Sequence, residues 1–303
     1  MRKNILFCVS TEKGFSVLKA AHKNLNINII LSTFKEVNVA KSYDDEIQNF
    51  SLANNLPTYL WKSIDKNNID WLQKNKIWAI VCVGWRYMIP KEWINFLKGR
   101  VIVTHDSLLP KYRGFAPLAS ALINGESKTG VTVLLAGNEV DSGDILYQKT
   151  ISIEDNDTIN DLIKKTIPLF TEGIIQSINN LSSRKTKKIE QKNSDATYSI
   201  WRDEDDLWID WNESSKDINN KIRALGNPYL GARTRLNNEI VIIKKAQIAD
   251  DVIFEIRQPG KVWKISDIGE PIIVCGKGML KIIAATTNGK PLLPLKRLRS
   301  RFS

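Results

Sequence analysis

The fold predicted is α/β: an open, mostly parallel, Rossmann-like sheet, followed by a smaller, OB-like β-barrel domain. Three observations predict it. Through the first half of the 303 residues, continuous apolar runs of strand length alternate with stretches of helical periodicity. A polar, aperiodic stretch then interrupts the chain. Beyond it, short strand-like runs follow one another between Gly, Pro and Asn turns. The expected division is a first domain over 1–183, a linker over 184–205 and the barrel domain over 206–303.

NILFCVS (4–10) is the first apolar run; it follows a basic start but is too short for a signal peptide and reads as a strand. GFSVLKAAHKNL then places Phe15, Leu18, Ala21 and Leu25 at helical spacing, with His22 among lysines at the helix edge. NINIILS (26–32) is the second strand, and SYDDEIQNFSLANNL a second helix that ends before Pro57. IWAIVCVGW (77–85) and VIVTH (101–105) are apolar runs of the buried parallel type. GVTVLLA (130–136) and ILYQKTISI (145–153) follow as strands, and DTINDLIKKTIPLFTEGIIQSINNL as a long helix. In the last third, SSKDINNKIRAL (214–225) predicts a helix capped by Ser214 or Ser215, with Ile218, Ile222 and Leu225 on one face. RTRL, EIVIIKKAQI, VIFEI (252–256), GKVWKI, PIIVCG and MLKIIAA are the barrel strands.

No run approaches the eighteen or so apolar residues that span a bilayer. Cys8, Cys82 and Cys275 stand far apart in or beside apolar runs, which predicts buried thiols of a cytoplasmic protein, with neither a disulfide frame nor a metal site. A net charge of +11 attracts phosphate, but the basic clusters RKTKK (184–188) and LKRLRSR (295–301) are short and no nucleic-acid module accompanies them. A small anionic ligand is therefore expected ahead of nucleic acid.

Chemistry concentrates in two loops. His105, one of only two histidines, stands at a strand end before SLLPKYRGFAP, and ligands of open parallel sheets bind at carboxyl ends of strands. GNEVDSGDILYQ (137–148) supplies Asp141 and Asp144 around a Ser-Gly turn. Asp141 reaching His105 would hold the imidazole in one tautomer and steady an imidazolium; ordinary turn chemistry is the alternative. The GxSxG elbow, GxGxxG and HExxH are absent.

HDSLLPKYRGFAP, then INGESKTGVTV, then EVDSGDIL together resemble the signature of 10-formyltetrahydrofolate-dependent formyltransferases. VGWRYMIP (83–90) is similar to the loop that cradles the folate ring in that family. IDWNESSKDINNKIRALGNPYLGA (209–232) is similar to the start of the C-terminal domain in its methionyl-tRNA and sugar members. The resemblance implies catalytic roles for His105 and Asp141, acting as an acceptor amine attacks the formyl carbon. It implies folate contacts at Arg86, Tyr87, Met88, Leu108, Pro110, Asn138, Glu139 and Val140, with no metal. Lys111 and Arg113, on the loop after His105, are candidates to meet the acceptor.

One position departs from the pattern. The family Asn two residues before the histidine is Val103 here. A lost oxyanion donor typically costs about 2.7–4 kcal/mol of transition-state stabilisation. Either a backbone N–H or water replaces it, or protonated His105 serves alone, or the protein is slow or only binds its ligands. For the acceptor, methionyl-tRNA formyltransferases carry a basic, Gly-rich insertion after the second strand. The matching residues 32–50 have no glycine and include Asp44, Asp45 and Glu46, so they would repel phosphate. The segment is more similar to that of sugar N-formyltransferases, which implies a nucleotide-linked amino sugar, such as a 4-amino-4,6-dideoxy or pseudaminic-type sugar, with methionyl-tRNA as the alternative.

Overall fold

The computed structural model describes residues 2–37, 39, 41–64, 69–137 and 139–303. In chain order the larger elements of the first two-thirds are β1 (Lys3–Val9), α1 (Glu12–Asn24), β2 (Ile27–Thr33), α2 (Asp44–Ala53), β3 (Thr58–Leu60), α3 (Asp70–Lys74), β4 (Ile77–Val83), α4 (Lys91–Phe96), β5 (Val101–His105), β6 (Arg113–Gly114), α5 (Pro117–Ile123), β7 (Lys128–Leu135), β8 (Ile145–Ser152), α6 (Ile159–Ser182) and β9 (Tyr198–Ser199). The remainder holds α7 (Ser215–Leu225), β10 (Ala232–Leu236), β11 (Glu239–Ala249), β12 (Val262–Ile265), β13 (Pro271–Val274), β14 (Met279–Thr287) and β15 (Lys290–Pro291). The contacts define two compact units: Met1–Pro117 with Lys128–Ser152 and Ile163–Ile200, and Leu118–Ser127 with Ile153–Leu162 and Trp201–Ser303.

In the first unit a seven-stranded sheet has the order β3-β2-β1-β4-β5-β7-β8. The first five strands are parallel. β7 is antiparallel to β5, and β8 is antiparallel to β7. Both faces are covered, which is why β1 and β4 read as unbroken apolar runs. Ile5, Phe7, Val81, Val83 and Ile102 face one way, toward Val17 and Leu18 of α1 and Phe170 and Ile174 of α6. Leu6, Cys8, Ile80, Cys82 and Val101 face the other, toward Leu72, Trp93 and Leu97. Burial raises the Cys8 thiol well above its ordinary pKa, and Cys82 beside it adds to the effect.

Helix signals in the sequence operate locally. Thr11 caps α1 by accepting from the Gly14 amide (3.1 Å), and the acids Asp44, Asp45 and Glu46 occupy the first turn of α2. His22 is exposed, edge-on to Phe50.

The stretch expected as a linker requires correction. Residues 189–200 are a strap folded onto the first unit: Ile189 exchanges backbone hydrogen bonds with Ile145 (2.8 and 3.0 Å), and β9 pairs in parallel with β6. Polar composition conceals this, because the pairing is made by backbone and by polar side chains, among them the buried amide of Gln191.

In the second unit, Ser214 caps α7 and Ile218, Ile222 and Leu225 are buried, as the periodicity predicts. The sheet order is β10-β11-β14-β13-β12, with β15 beside β14. The last residues close it into a barrel: Arg301 and Phe302 form bridges to Lys261 of the β12 edge and Leu236 of β10. Gly260 is required at this seam, since its φ is +83° and a Cβ would collide with the Phe302 carbonyl. VIFEI (252–256), expected as a strand, is irregular. Ile253 is 99% exposed, and Arg257 fixes the loop by donating to Asp251 (2.6 and 2.7 Å) and to the Cys275 carbonyl (2.9 Å). An apolar run without a partner strand gains little from extending.

Candidate active site

β5 delivers His105 to the C-terminal end of the parallel strands, opposite Thr132 of β7. The loop that follows is pinned. Thr132 Oγ1 donates to the Ser107 carbonyl (2.7 Å), Ser107 Oγ to the Lys111 carbonyl (2.6 Å), and Gln148 Nε2 to the Leu109 carbonyl and Thr132 Oγ1 (both 2.9 Å). Lys13 pairs with Asp106, the residue after the histidine (2.5 Å).

The His105 ring is 5% exposed and held from two sides. Nδ1 lies 3.3 Å from Asp141 Oδ2, as the sequence suggested, and Nε2 lies 2.7 Å from the Tyr112 carbonyl oxygen. A ring with one N–H can donate to only one of these acceptors; a ring with two donates to both. The same Asp141 oxygen accepts from the Gly114 amide (3.0 Å). Tyr112 and Asp141 both adopt left-handed backbone, φ 59° and 51°, a conformation uncommon outside glycine and more costly for Tyr than for Asp. Gly114, at φ +104°, lies where a Cβ would strike the Ser199 carbonyl, so strap and loop touch backbone to backbone.

That strap sets both partners of the ring. Thr197 Oγ1 accepts from the Tyr112 amide (2.9 Å), and the Thr197 carbonyl accepts from Arg113 N (2.8 Å). Gln191 Nε2 donates to the carbonyls of Asp141 (2.8 Å) and Gly143 (2.7 Å), while its Oε1 accepts from Arg113 Nε (3.1 Å) and Nη2 (2.9 Å). Arg113 Nη2 also donates to Asn193 Oδ1 (3.0 Å). Arg113, expected to meet an acceptor, is thus corrected: it is 1% exposed and its guanidinium is engaged within the strap. Tyr112, Gln191, Asn193 and Thr197 gave no sequence signal, since one acts through its carbonyl and three lie in the polar stretch. Lys111, by contrast, is exposed on the loop.

The remaining predicted positions lie on neighbouring loops. After β4, the strand beside β5, Arg86 pairs with Glu36 (2.6 Å), and Tyr87 packs against Phe34 (4.8 Å between centroids). Burial raises the Glu36 carboxyl pKa, with Arg86 opposing the shift. Met88 (72%) and Val140 (46%) are exposed apolar side chains, and Glu139 is exposed, with its amide and carbonyl hydrogen-bonded to Ser142 Oγ. Leu108 is half-buried over Gly130, and the carbonyl of Pro110 accepts from Thr197 N (3.2 Å). Asn138 lies outside the described residues. Val103 packs against Leu109, Leu134 and Ile145.

An imidazole fixed by a carboxylate at a strand end can accept a proton from an attacking nucleophile or donate to a developing oxyanion. Among the described residues no group of three His, Cys, Asp or Glu gathers as a metal site, and no helix is long and apolar enough to cross a membrane.

Residues 5–178 match the family model described as Formyl transferase, and residues 202–302 that described as Formyl transferase, C-terminal domain. A methionyl-tRNA formyltransferase of Clostridium novyi (strain NT) is 30% identical over 299 residues, 96% of this chain and 94% of that protein. The crystal structure of WlaRD, a sugar 3N-formyl transferase in the presence of dTDP and 5-N-formyl-THF, is similar with a TM-score of 0.68 at 23% identity, over 96% of this chain and 99% of that one. An N-formyltransferase from Helicobacter canadensis, in complex with folinic acid and dTDP-3-aminofucose, has a TM-score of 0.68 at 18% identity, over 93% and 99%. At those identities the two structures establish the fold alone.

Proposed function

We propose for this chain, which belongs to the formyl transferase family and is a folate-dependent one-carbon transferase, that the acceptor of the formyl group is the amine of a nucleotide-linked amino sugar. The family's donor, 10-formyltetrahydrofolate, supplies the formyl carbon when bound. The residues present fit it. Tyr87, Met88 and Val140 offer exposed apolar surface for a ring to lie against. With Arg86, Leu108, Pro110 and the backbone of Glu139 they would hold the folate.

His105 takes the proton released by the attacking amine or donates to the oxygen that gains charge. Asp141 orients the ring and balances its positive charge, and such acid–base assistance contributes on the order of 10²–10⁴-fold in rate. With Val103 packed among apolar side chains, the protonated ring of His105 serves the oxyanion alone. Lys111, exposed on the loop after His105, is the candidate cation to meet phosphate of the acceptor.

The observation that carries the sugar reading is the segment after β2. Residues 32–50 hold two lysines against four acids. Glu36 is turned onto Arg86, and three acids form the start of α2. Such a segment disfavours a tRNA acceptor stem. Methionyl-tRNA is the second reading, favoured by the likeness to the Clostridium novyi protein along nearly the whole chain. The test offers purified protein and 10-formyltetrahydrofolate a panel of UDP- and dTDP-linked amino sugars and, separately, methionyl-tRNA, with mass-spectrometric detection of product. Formylated sugar supports the proposal; formylation of the tRNA alone overturns it.

A further inference from the structure

A cavity of about 510 Å³ opens in the first unit away from His105. It is framed by the first residue of β1, Lys3, by Trp78 near the start of β4, by the turn Lys98–Arg100 that leads into β5, and by the end of α6 with residues Arg184 and Lys188. Arg100 precedes β5 and His105 ends it, so the two sites are roughly 16 Å apart along the strand at about 3.3 Å per residue. Five cations, Lys3, Lys98, Arg100, Arg184 and Lys188, line this cavity, and among the described residues no carboxylate does.

Two of the cations are already arranged on an aromatic wall. Lys3 Nζ lies 4.1 Å from the Trp78 ring centroid, and the Arg100 guanidinium carbon lies 5.8 Å from it. Lys3 also donates to the Ser182 carbonyl (3.2 Å), and Arg100 Nε to the Trp78 carbonyl (2.7 Å). Lys188 has a carboxylate nearby, Asp144 at 3.6 Å, with both side chains well exposed. The carbonyl end of α6 accounts for part of the cluster, because cations stabilise a helix C-terminus. It does not account for the whole: a helix end carries about half a negative charge and Asp144 one more, against five positive ones. A concave site lined by one sign of charge concentrates the opposite ion.

We propose that this cavity is a second ligand site, taking a polyphosphate anion of nucleotide size. Its volume falls within the range of about 300–1,000 Å³ of small-molecule sites. A single phosphate would leave most of the cationic charge unbalanced, whereas a di- or triphosphate matches it. Trp78 and Leu181 give an apolar wall for the remainder of the ligand. The cations converge on one hollow instead of running in a stripe, which favours a small molecule over a nucleic-acid strand. The proposal does not depend on which acceptor the catalytic site uses.

The test is calorimetric titration of the whole protein with inorganic tripolyphosphate, ATP and a 12-nucleotide RNA, in wild type and in the double variant Lys98→Glu/Arg184→Glu. Both residues are exposed, so the fold is kept. Mass-spectrometric acetylation footprinting locates the bound anion. Tripolyphosphate and ATP should bind, protect Lys3 and Lys98 from acetylation, and lose affinity by at least about tenfold in the double variant, with formyl transfer changed less than about twofold. Equal affinity in the double variant, no binding of either small polyphosphate, or binding of the RNA alone would overturn it.

Discussion

Gln191→Ala removes four hydrogen bonds from the candidate site at once. Two are accepted from the guanidinium of Arg113, at 3.1 and 2.9 Å, and two are donated to the carbonyls of Asp141 and Gly143, at 2.8 and 2.7 Å. Hydrogen bonds to a charged group contribute about 1.5–3 kcal/mol each and neutral ones about 0.5–1.5 kcal/mol. These do not add, and Arg113 retains Asn193, so the expected loss is about 3–5 kcal/mol, that of opening one side of a buried charged contact. In a unit of this size each kcal/mol moves the melting midpoint by about 2–4 °C, so a fall of roughly 6–20 °C is expected by calorimetry. With Asp141 no longer fixed against His105, single-turnover formyl transfer should fall about 10- to 100-fold. Gln191→Glu separates the two arms: it still accepts from Arg113 but sets a carboxylate against two carbonyl oxygens. It should therefore melt closer to wild type while remaining slow. Full activity in Gln191→Glu, or a Gln191→Ala protein within twofold of wild-type turnover, would refute the positioning role.

Val103→Asn places an amide against Leu109, Leu134 and Ile145; it should cost about 1–3 kcal/mol as an unsatisfied polar group and bring no gain in rate. A tenfold faster single turnover with an unchanged midpoint would show instead that the natural site lacks a needed donor. Burial pushes the Cys275 thiol up to about 12 and raises Cys8 as well, while unfolded thiols ionise near 9.0. A raised folded pKa gives stability that is whole below the unfolded value and is lost as pH rises. Stability should therefore fall between about pH 9 and 12, by about 1.4 kcal/mol per pH unit for Cys275 alone. Denaturant midpoints measured across that window should decline less steeply in Cys275→Ala. Acceptor binding should weaken only modestly from low to physiological salt, whereas a fall of several powers of ten would signal contacts to many phosphates.

The parts of this molecule that repeat a pattern were legible in its residues. β4 and the runs 5–9 of β1 and 101–103 of β5 pack on both faces and so are apolar without interruption, and α7 shows its cap and its buried face in the twelve residues from Ser214 to Leu225. His105 and Asp141 could be paired from the loops that carry them. What stayed hidden works through the backbone. Tyr112 acts by its carbonyl, the strap pairs by its main chain, and a lone buried glutamine in a polar run looks like any solvated residue. Arg113 misled for a related reason: a cation on a Gly-containing loop suggests exposure until its neutral partners, Gln191 and Asn193, are known. VIFEI misled in the opposite direction, because strand propensity without a partner edge does not make a strand.

The central claim is that His105 and Asp141, 3.3 Å apart, work as one catalytic unit in formyl transfer. A double-mutant cycle tests it most directly, with single-turnover rates for wild type, His105→Asn, Asp141→Asn and the double variant, each first shown to be folded by circular dichroism. Each single variant should lose at least about 10²-fold, and the double variant should be no more than about threefold slower than the slower single one, because removing either member disables the unit. Near-normal turnover in either single variant, or losses that multiply in the double variant, would contradict it.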